Sequence, residues 1–407
     1  MKKYFLFFTA SIIMYSCQQQ TVSITENSQW RGEGRDGVYH ETGLLQSWAE
    51  GGPELLWSYE GLGAGFSSPA IANDRLFITG LQDNDLVLYV IDLNGKLLSQ
   101  KILGKEEAEN YPGPRSSVAI NDDKLYIYNA FGLLMCLNAA NLNEIWSRNV
   151  LTEFEGRNII WGVTESPLII GDKIFITPGG EKHNIVALNK NTGETIWTSP
   201  GMGTVTSYCS PQFIDGYFVP MVVTSTFDYI IAVNADTGEL LWSHPQENIH
   251  QIHPNTLLYH NGMIFSTTGY SGGSVMLRLT NNGRDVEEVW TNELDNQMGG
   301  VVKIGNYIYS GGHQRRGLFC IEWNSGETKY RAGEIGGCNI ITADGMLYVY
   351  SNTGNVYLIK PNPEQFELIS SFPITLGTEQ HWAHLVIHNG VMYVRHGDAL
   401  MAYNIKK

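Results

Sequence analysis

The sequence predicts an all-β protein, an eight-bladed β-propeller of four-stranded antiparallel blades whose last blade is closed by an N-terminal strand. Three observations predict it. The stretch Ser166–Trp197 reads as four short strands, and the same unit returns at Ser210–Trp242. Aligning the first turn of every copy gives one ring position at Ser68, Ser117, Ser166, Ser210, Thr256, Gly300, Asn339 and His384, spaced by 49, 49, 44, 46, 44, 39 and 45 residues. A four-strand unit of roughly 40–50 residues cannot bury both faces alone but does so when stacked on its neighbours around an axis. Finally, 23 residues follow His384, room for three strands (384–387, 391–395, 399–405), and the missing fourth strand is found upstream at Pro53–Tyr59. That closure leaves no open sheet edge.

Within the unit, each element has a local reason. Pro167–Ile170 is apolar and Gly171-Asp172-Lys173 turns it back. Ile174–Thr177 is β-branched and aromatic, Pro178-Gly179-Gly180 interrupts it, and Asn184–Asn189 resumes the apolar run. Asn191-Thr192-Gly193 turns again before Glu194–Trp197 closes the unit. Trp57, Trp146, Trp197, Trp242 and Trp290 all end a fourth strand, with Tyr330 in that place in the sixth blade, so they are expected to pack between blades.

The repeat makes 53–407 a single ring, preceded by an N-terminal segment at 30–52. Lys2-Lys3 followed by the apolar run Tyr4–Tyr15 is too short to span a bilayer and reads as an export signal. It ends at Cys17 and is followed by the polar Gln18-Gln19-Gln20. Residues 1–17 resemble a bacterial lipoprotein signal, with Cys17 as the lipidated residue and 18–29 as a flexible tether. The resemblance implies a lipid-anchored protein of the cell envelope, expected at the outer membrane. A formal charge of −15 and a pI near 5.2 argue against nucleic acid or an anionic membrane surface as partner.

The loops sort onto two faces. One carries tight turns such as Asn73-Asp74, Asp122-Asp123, Asp344-Gly345 and Asn389-Gly390, chosen for backbone geometry. The other carries irregular loops and seven of the eleven histidines: His183, His250, His253, His313, His381, His384 and His396. Loops on a rigid scaffold at a channel mouth are where propellers bind ligands. The candidate ligand-binding residues on this face are Arg115, Trp161, Glu165, Tyr208, Cys209, His250, His253, Asn255, Gln297, Cys338, Asn339, His381, Trp382 and His384, with Phe66 and Met298 nearby. His250-x-x-His253 and His381-x-x-His384 invite a metal reading, but this spacing in extended chain turns the two rings of a pair to opposite sides, so no metal site is assigned. Cys136 and Cys320 replace Ala187 and Ala232 of other blades and read as small core residues. Cys209 and Cys338 both stand one residue before the ring position. They read either as free thiols at the mouth of a narrow polar channel or as buried small residues, and a disulfide between them would need a very narrow mouth.

The repeat ending, Leu188-Asn189-x-x-Thr192-Gly193-Glu194-x-x-Trp197 and Val233-Asn234-x-x-Thr237-Gly238-Glu239-x-x-Trp242, resembles that of the pyrroloquinoline-quinone-like (PQQ-like) propeller superfamily over roughly residues 50–407. Trp30-Arg31-Gly32-x-Gly34-Arg35-x-Gly37 resembles the start of exported bacterial members of unassigned role. The superfamily includes quinoprotein alcohol dehydrogenases and a lipoprotein propeller that assists outer-membrane protein assembly. The fold does not decide between them. The adjacent Cys-Cys pair typical of the dehydrogenases is lacking here, as is a C-x-x-C-H haem motif. The expectation is therefore a monomeric, non-catalytic scaffold for a small molecule or an envelope protein. A dehydrogenase of alcohols or sugars using PQQ and calcium, with Glu165 and Asn255 as guessed calcium ligands, is the alternative.

Overall fold

The computed structural model describes residues 26–407 apart from 108, 216 and 251; the expected signal, Cys17 and the first part of the tether lie outside the described residues. Eight antiparallel sheets follow one another along the chain, and the first strands of successive sheets touch around a common axis. Blade 1 is typical: Ala70–Ala72, Arg75–Gln82, Asp85–Asp92 and Leu97–Lys105. Blade 8 contains Val386–His388, Val391–His396 and Ala399–Asn404, and Glu54–Glu60 completes it, with Trp57 opposite Ala402. Among the described residues no helix is long and apolar enough to cross a membrane.

Apolar clusters between neighbouring sheets form the core. Between blades 1 and 2, Phe77, Leu88 and Val90 meet Ile120, Leu125 and Leu137, all buried. Each such side chain contributes roughly 1.5–3 kcal/mol relative to an exposed one. The repeat motif latches one blade to the next. Trp146 of blade 2 donates its indole N–H to Lys190 O of blade 3 at 3.0 Å, and its ring lies on Gly193. Gly193 sits at φ +73°, and a Cβ there would come 2.8 Å from the ring, so the glycine is required twice over. Trp57 on Gly95, Trp197 on Gly238 and Trp290 on Gly326 repeat the latch, with indole bonds to Leu93 O, Ala235 O and Trp323 O. The motif asparagine holds the turn, since Asn189 Oδ1 accepts from the N–H groups of Asn191 and Thr192.

The ring position does not line an open channel. Its hydroxyls are engaged in a belt between blades: Ser68 N–H donates to Ser117 Oγ (2.9 Å), Ser117 N–H to Ser166 Oγ (3.0 Å) and Ser166 N–H to Ser210 Oγ (2.9 Å). Asn339 Nδ2 donates to Ala383 O, and Ser68 Oγ closes the circuit on His384 O.

The expectation of a narrow polar channel is corrected by residues 30–48, an N-terminal arm that enters the axis from the tight-turn face. Residues 26–29, the described end of the expected tether, lie against the ring. Glu26 and Asn73 exchange hydrogen bonds, Asn27 Oδ1 accepts from Asp122 N–H, and Ser28 bridges Ile120. Arg31 and Arg35 are buried on the axis. Arg31 donates to Val301 O (2.7 Å), Ile340 O (3.1 Å) and His384 Nδ1 (3.1 Å), tying blades 6, 7 and 8. Arg35 donates to Ser166 O and Pro167 O of blade 3, both at 2.9 Å. Val38–Tyr39 then adds a parallel strand to the inner edge of blade 7 at Thr342 and Ala343, and Glu41 accepts from Asn389 and Gly390 N–H. Trp48 finally wedges against Tyr348 and Phe372.

Candidate functional site

On the irregular face the axis ends in a cavity of ≈170 Å³. Five aromatic rings from the surrounding loops form an arc along its wall. Phe66 lies 5.1 Å from Trp382, Trp382 5.0 Å from Tyr111, Tyr111 6.5 Å from Trp161, and Trp161 6.1 Å from Tyr208. The rings meet because the blades hold the loop ends at a fixed spacing around the axis, and their centroids fall in the range of tilted aromatic pairs. Ile252, Pro254 and Met298 form the opposite wall, beside Tyr270. The floor is Trp30 of the N-terminal arm, 5.1 Å from the His384 ring.

Arg115 fastens the arc. Its Nη1 donates to Trp161 O at 2.6 Å, while Nη2 donates to Asn110 O at 2.9 Å and Tyr111 O at 2.7 Å. The guanidinium also lies over Phe66 at 5.8 Å. Burial lowers its pKa, against the opposing charges of Glu106 and other neighbours. Other polar groups of the lining are similarly engaged. Thr164 Oγ1 donates to Tyr208 O, and Gln297 Nε2 to Tyr270 OH. His384 accepts from Arg31 at Nδ1, so its proton is on Nε2, which donates to Met298 O at 2.9 Å. Burial, aided by the Arg31 charge, pushes its pKa down to about 3.

The structure therefore brings together Arg115, Trp161, Tyr208, Gln297, Trp382 and His384 of the sequence candidates. It places the other eight elsewhere. Glu165 is fully buried and accepts from Thr177 N–H and Oγ1; burial raises its pKa to about 8. Cys209 and Cys338 are buried free thiols, which decides between the two readings: residues alternate along the inner strand, so the position before the ring points between blades. Cys209 Sγ donates to Asn255 O, and burial raises its pKa to about 11. Asn255 Nδ2 donates to Thr267 O and Asn296 O, and Asn339 belongs to the belt. His253 is buried with Nε2 donating to Phe227 O, its pKa pushed down to about 4, while exposed His250 packs edge-on against Tyr270. His381 stacks on His396 at 3.7 Å and shares a hydrogen bond with Tyr350 OH. The rings of each H-x-x-H pair thus face different neighbours, and among the described residues no three His, Cys, Asp or Glu side chains converge as a metal site.

Sequence reasoning missed Trp30, Tyr111, Thr164, Tyr270, Ile252 and Pro254 as lining residues. Trp30 lies outside the repeat, and Tyr111 in an irregular loop, so repeat alignment could not place either on the axis.

The residues do not fit the quinone and calcium of the alternative reading. A tricarboxylate ligand asks for converging cations, and Arg115 is the one arginine of this lining, with its N–H groups already donated to three carbonyls. The carboxylate of Glu165 is enclosed and hydrogen-bonded rather than presented to a cation.

A family model for PQQ-like repeats, described as outer membrane protein assembly factor BamB, matches residues 83–213 and 171–363. The quinoprotein ethanol dehydrogenase of Pseudomonas aeruginosa is 30% identical over 89 residues, which is 22% of this chain and 14% of that protein. Among solved structures, BamB from Moraxella catarrhalis superposes with a TM-score of 0.62 at 14% identity, over 86% of this chain and 99% of that one. The quinohemoprotein alcohol dehydrogenase from Comamonas testosteroni gives 0.62 at 13% identity, over 92% and 80%. At these identities the structural likeness shows the fold alone.

Proposed function

The chain belongs to the PQQ-like propeller family whose model is described as outer membrane protein assembly factor BamB, and on that premise we propose that it is a non-catalytic, exported scaffold that binds an envelope protein through its irregular face. The observation that carries this reading is the aromatic arc. Half-exposed tryptophan and tyrosine rings on rigidly held loops are the usual anchors of protein interfaces. The cavity presents neither a general-base pair nor converging metal ligands among the described residues, and Arg115, Thr164 and Gln297 are engaged in holding its own walls. Monomeric action, anchoring through a lipid on Cys17 and residence at the outer membrane belong to the same proposal, supported by the lipoprotein-like signal.

The test is photo-cross-linking in cells with p-benzoylphenylalanine in place of Tyr111 or Ile160 on the irregular face, and of Asp172 on the tight-turn face. Adducts with one envelope protein from the first two positions, lost with Trp382→Ala, are expected. Equal adducts from both faces would reject the assignment of the face. For the anchor, Cys17→Ala is expected to leave the washed membrane fraction; its retention there would reject lipidation as the anchor.

A further inference from the structure

We propose that the aromatic cavity receives one large apolar side chain, aromatic by preference, carried on a basic stretch of the partner polypeptide. This rests on the reading of the irregular face as a protein-binding surface and adds what the partner must present.

The lining sets the occupant's polarity. A polar small molecule needs free donors and acceptors, whereas here Arg115, Thr164, Gln297 and both nitrogens of His384 already have partners. What remains open is chiefly ring surface from Tyr111, Trp161, Tyr208 and Trp382, with the Tyr111 hydroxyl and the Trp161 and Trp382 indole N–H groups as polar atoms at the ring edges. Such surface favours an apolar or aromatic body, by area and by ring–ring geometry.

The surroundings set the occupant's size. Apolar surface continues past the cavity on both sides. Ile160, next to Trp161, is 79% exposed, and Ile249, three residues before Ile252, is 81% exposed. Two isoleucines held out in water beside an aromatic cavity match a polypeptide that covers more than the cavity itself.

Charge sets what flanks the anchor. The cations of these loops are mostly neutralised at home: Arg148 by Glu153, Lys182 by Glu155, Arg157 by Glu181 and Arg315 by Glu293. Arg316 and, at the end of the fourth strand of blade 6, Arg331 are the exceptions among the described residues. Glu109, two residues from Tyr111, Glu247, five before Ile252, and Glu379, three before Trp382, are exposed. None of the three has an ion pair within 4.0 Å among the described residues. Arg115 does not offset them, because its charge faces Glu106 and Glu107. On a chain of formal charge −15, this leaves a negative field around an apolar socket. Lysines or arginines beside the anchor would be steered in and would make the association salt-dependent.

Three fluorescein-labelled pentapeptides test this by fluorescence polarisation on the full folded protein: Lys-Lys-Trp-Lys-Lys, Glu-Glu-Trp-Glu-Glu and Lys-Lys-Ala-Lys-Lys. The first is expected to bind at least about tenfold more tightly than either of the others. The margin over the acidic peptide should collapse at about 1 M salt, where the screening length is ~3 Å, while the margin over the alanine peptide stays. Trp382→Ala and, independently, Tyr111→Ala should weaken the first peptide, and Glu109→Gln with Glu379→Gln should weaken it only at low salt. Equal binding of the acidic and basic peptides, or of the tryptophan and alanine peptides, overturns the proposal. If that happens while the cross-links from Tyr111 and Ile160 persist, the partner chemistry is wrong and the protein-binding reading stands. Loss of both removes the reading itself.

Discussion

At the tight-turn end of the axis, residues 26–48 lie on the ring and send Arg31 and Arg35 into it, so that carbonyls from blades 3, 6 and 7 all find donors. At the opposite end the loops enclose a cavity whose rings stay partly in water. Both ends are made of the same eight repeats, yet one receives an arm whose guanidiniums make charge-assisted hydrogen bonds, with a polar-lined hollow of ≈680 Å³ beside it, and the other is left apolar and open. The difference lies in what each end asks of its backbone. Inner-strand carbonyls near the axis must be satisfied, and two guanidiniums suffice, since each offers five donors in a plane. The loop end satisfies its own carbonyls through Arg115, which leaves the ring faces free. On the proposed function, stability is concentrated at one end and recognition at the other.

The plugged end should break hardest. Arg31→Ala leaves Val301 O and Ile340 O without their donor and removes the partner of His384 Nδ1. Buried acceptors left without a donor cost roughly 1–3 kcal/mol each, so the denaturation midpoint should fall sharply. A change under ~1 kcal/mol would show that the N-terminal arm rests on the ring without supporting it. Next comes the inter-blade latch, which belongs to neither end. Trp146→Ala should cost roughly 3 kcal/mol by opening a cavity at the blade 2–3 seam. Gly193→Ala should cost a comparable part of that, because its Cβ would push the same ring away and its φ of +73° disfavours a side chain. If Gly193→Ala is neutral, the motif glycine serves only the turn.

These two substitutions also separate what was legible in the sequence from what was not. The latch was legible because it recurs: a tryptophan stands within five fourth strands, which run on past it, and a glycine stands four residues before Trp197 and again before Trp242. The blade count, the closure by Glu54–Glu60 and the burial of Cys136 and Cys320 were legible on the same ground. The axial plug was not. Trp30, Arg31 and Arg35 occur once, and an arginine in a polar segment reads as solvated until its carbonyl partners, 131 to 309 residues away, are known. The cavity was half legible. Side chains such as Trp161 and Trp382 stand out in irregular loops, but period-2 alternation turns Cys209, His253 and Cys338 inward from the same face.

Buried titratable groups at both ends should together set the response to pH. His384 at the axis and His253 behind the cavity wall are buried neutral, with pKa values pushed from 6.5 to about 3 and about 4. The unfolded chain binds more protons there, so the stability they carry is present above pH 6.5 and is lost as pH falls through about 4 for His253 and about 3 for His384. Glu165 beside Arg35 and Glu106 behind Arg115 are raised from 4.5 to about 8 and about 7 by burial. There the folded state holds the extra proton, so their contribution is present below pH 4.5 and is lost as pH rises through 7 to 8. Stability should therefore peak in the mildly acidic range and fall on both sides. Glu165→Gln, which keeps an acceptor for Thr177, should flatten the alkaline limb and leave the acid limb alone. An unchanged alkaline limb would remove Glu165 from this account.

The smallest effect on stability is expected where the effect on binding should be largest. Tyr111 is 44% exposed, its own carbonyl rather than its ring is held by Arg115, and its ring lies against Trp161 and Trp382. Truncation there exposes no buried donor and opens no closed cavity, so Tyr111→Ala should shift stability by no more than about 0.5–1 kcal/mol. The carbonyl clamp survives because it uses backbone oxygens, which predicts that the loop keeps its place and that Arg115 stays pinned. The arc nevertheless loses its middle ring, leaving Phe66–Trp382 and Trp161–Tyr208 as two separate pairs. Recognition that needs a continuous aromatic wall should then fail in a protein that is as stable as before. Paired denaturation and polarisation measurements on this one variant check both halves. A large loss of stability would mean that the arc is a structural element like the plug at the other end, and that the two ends of the axis differ less than their chemistry suggests.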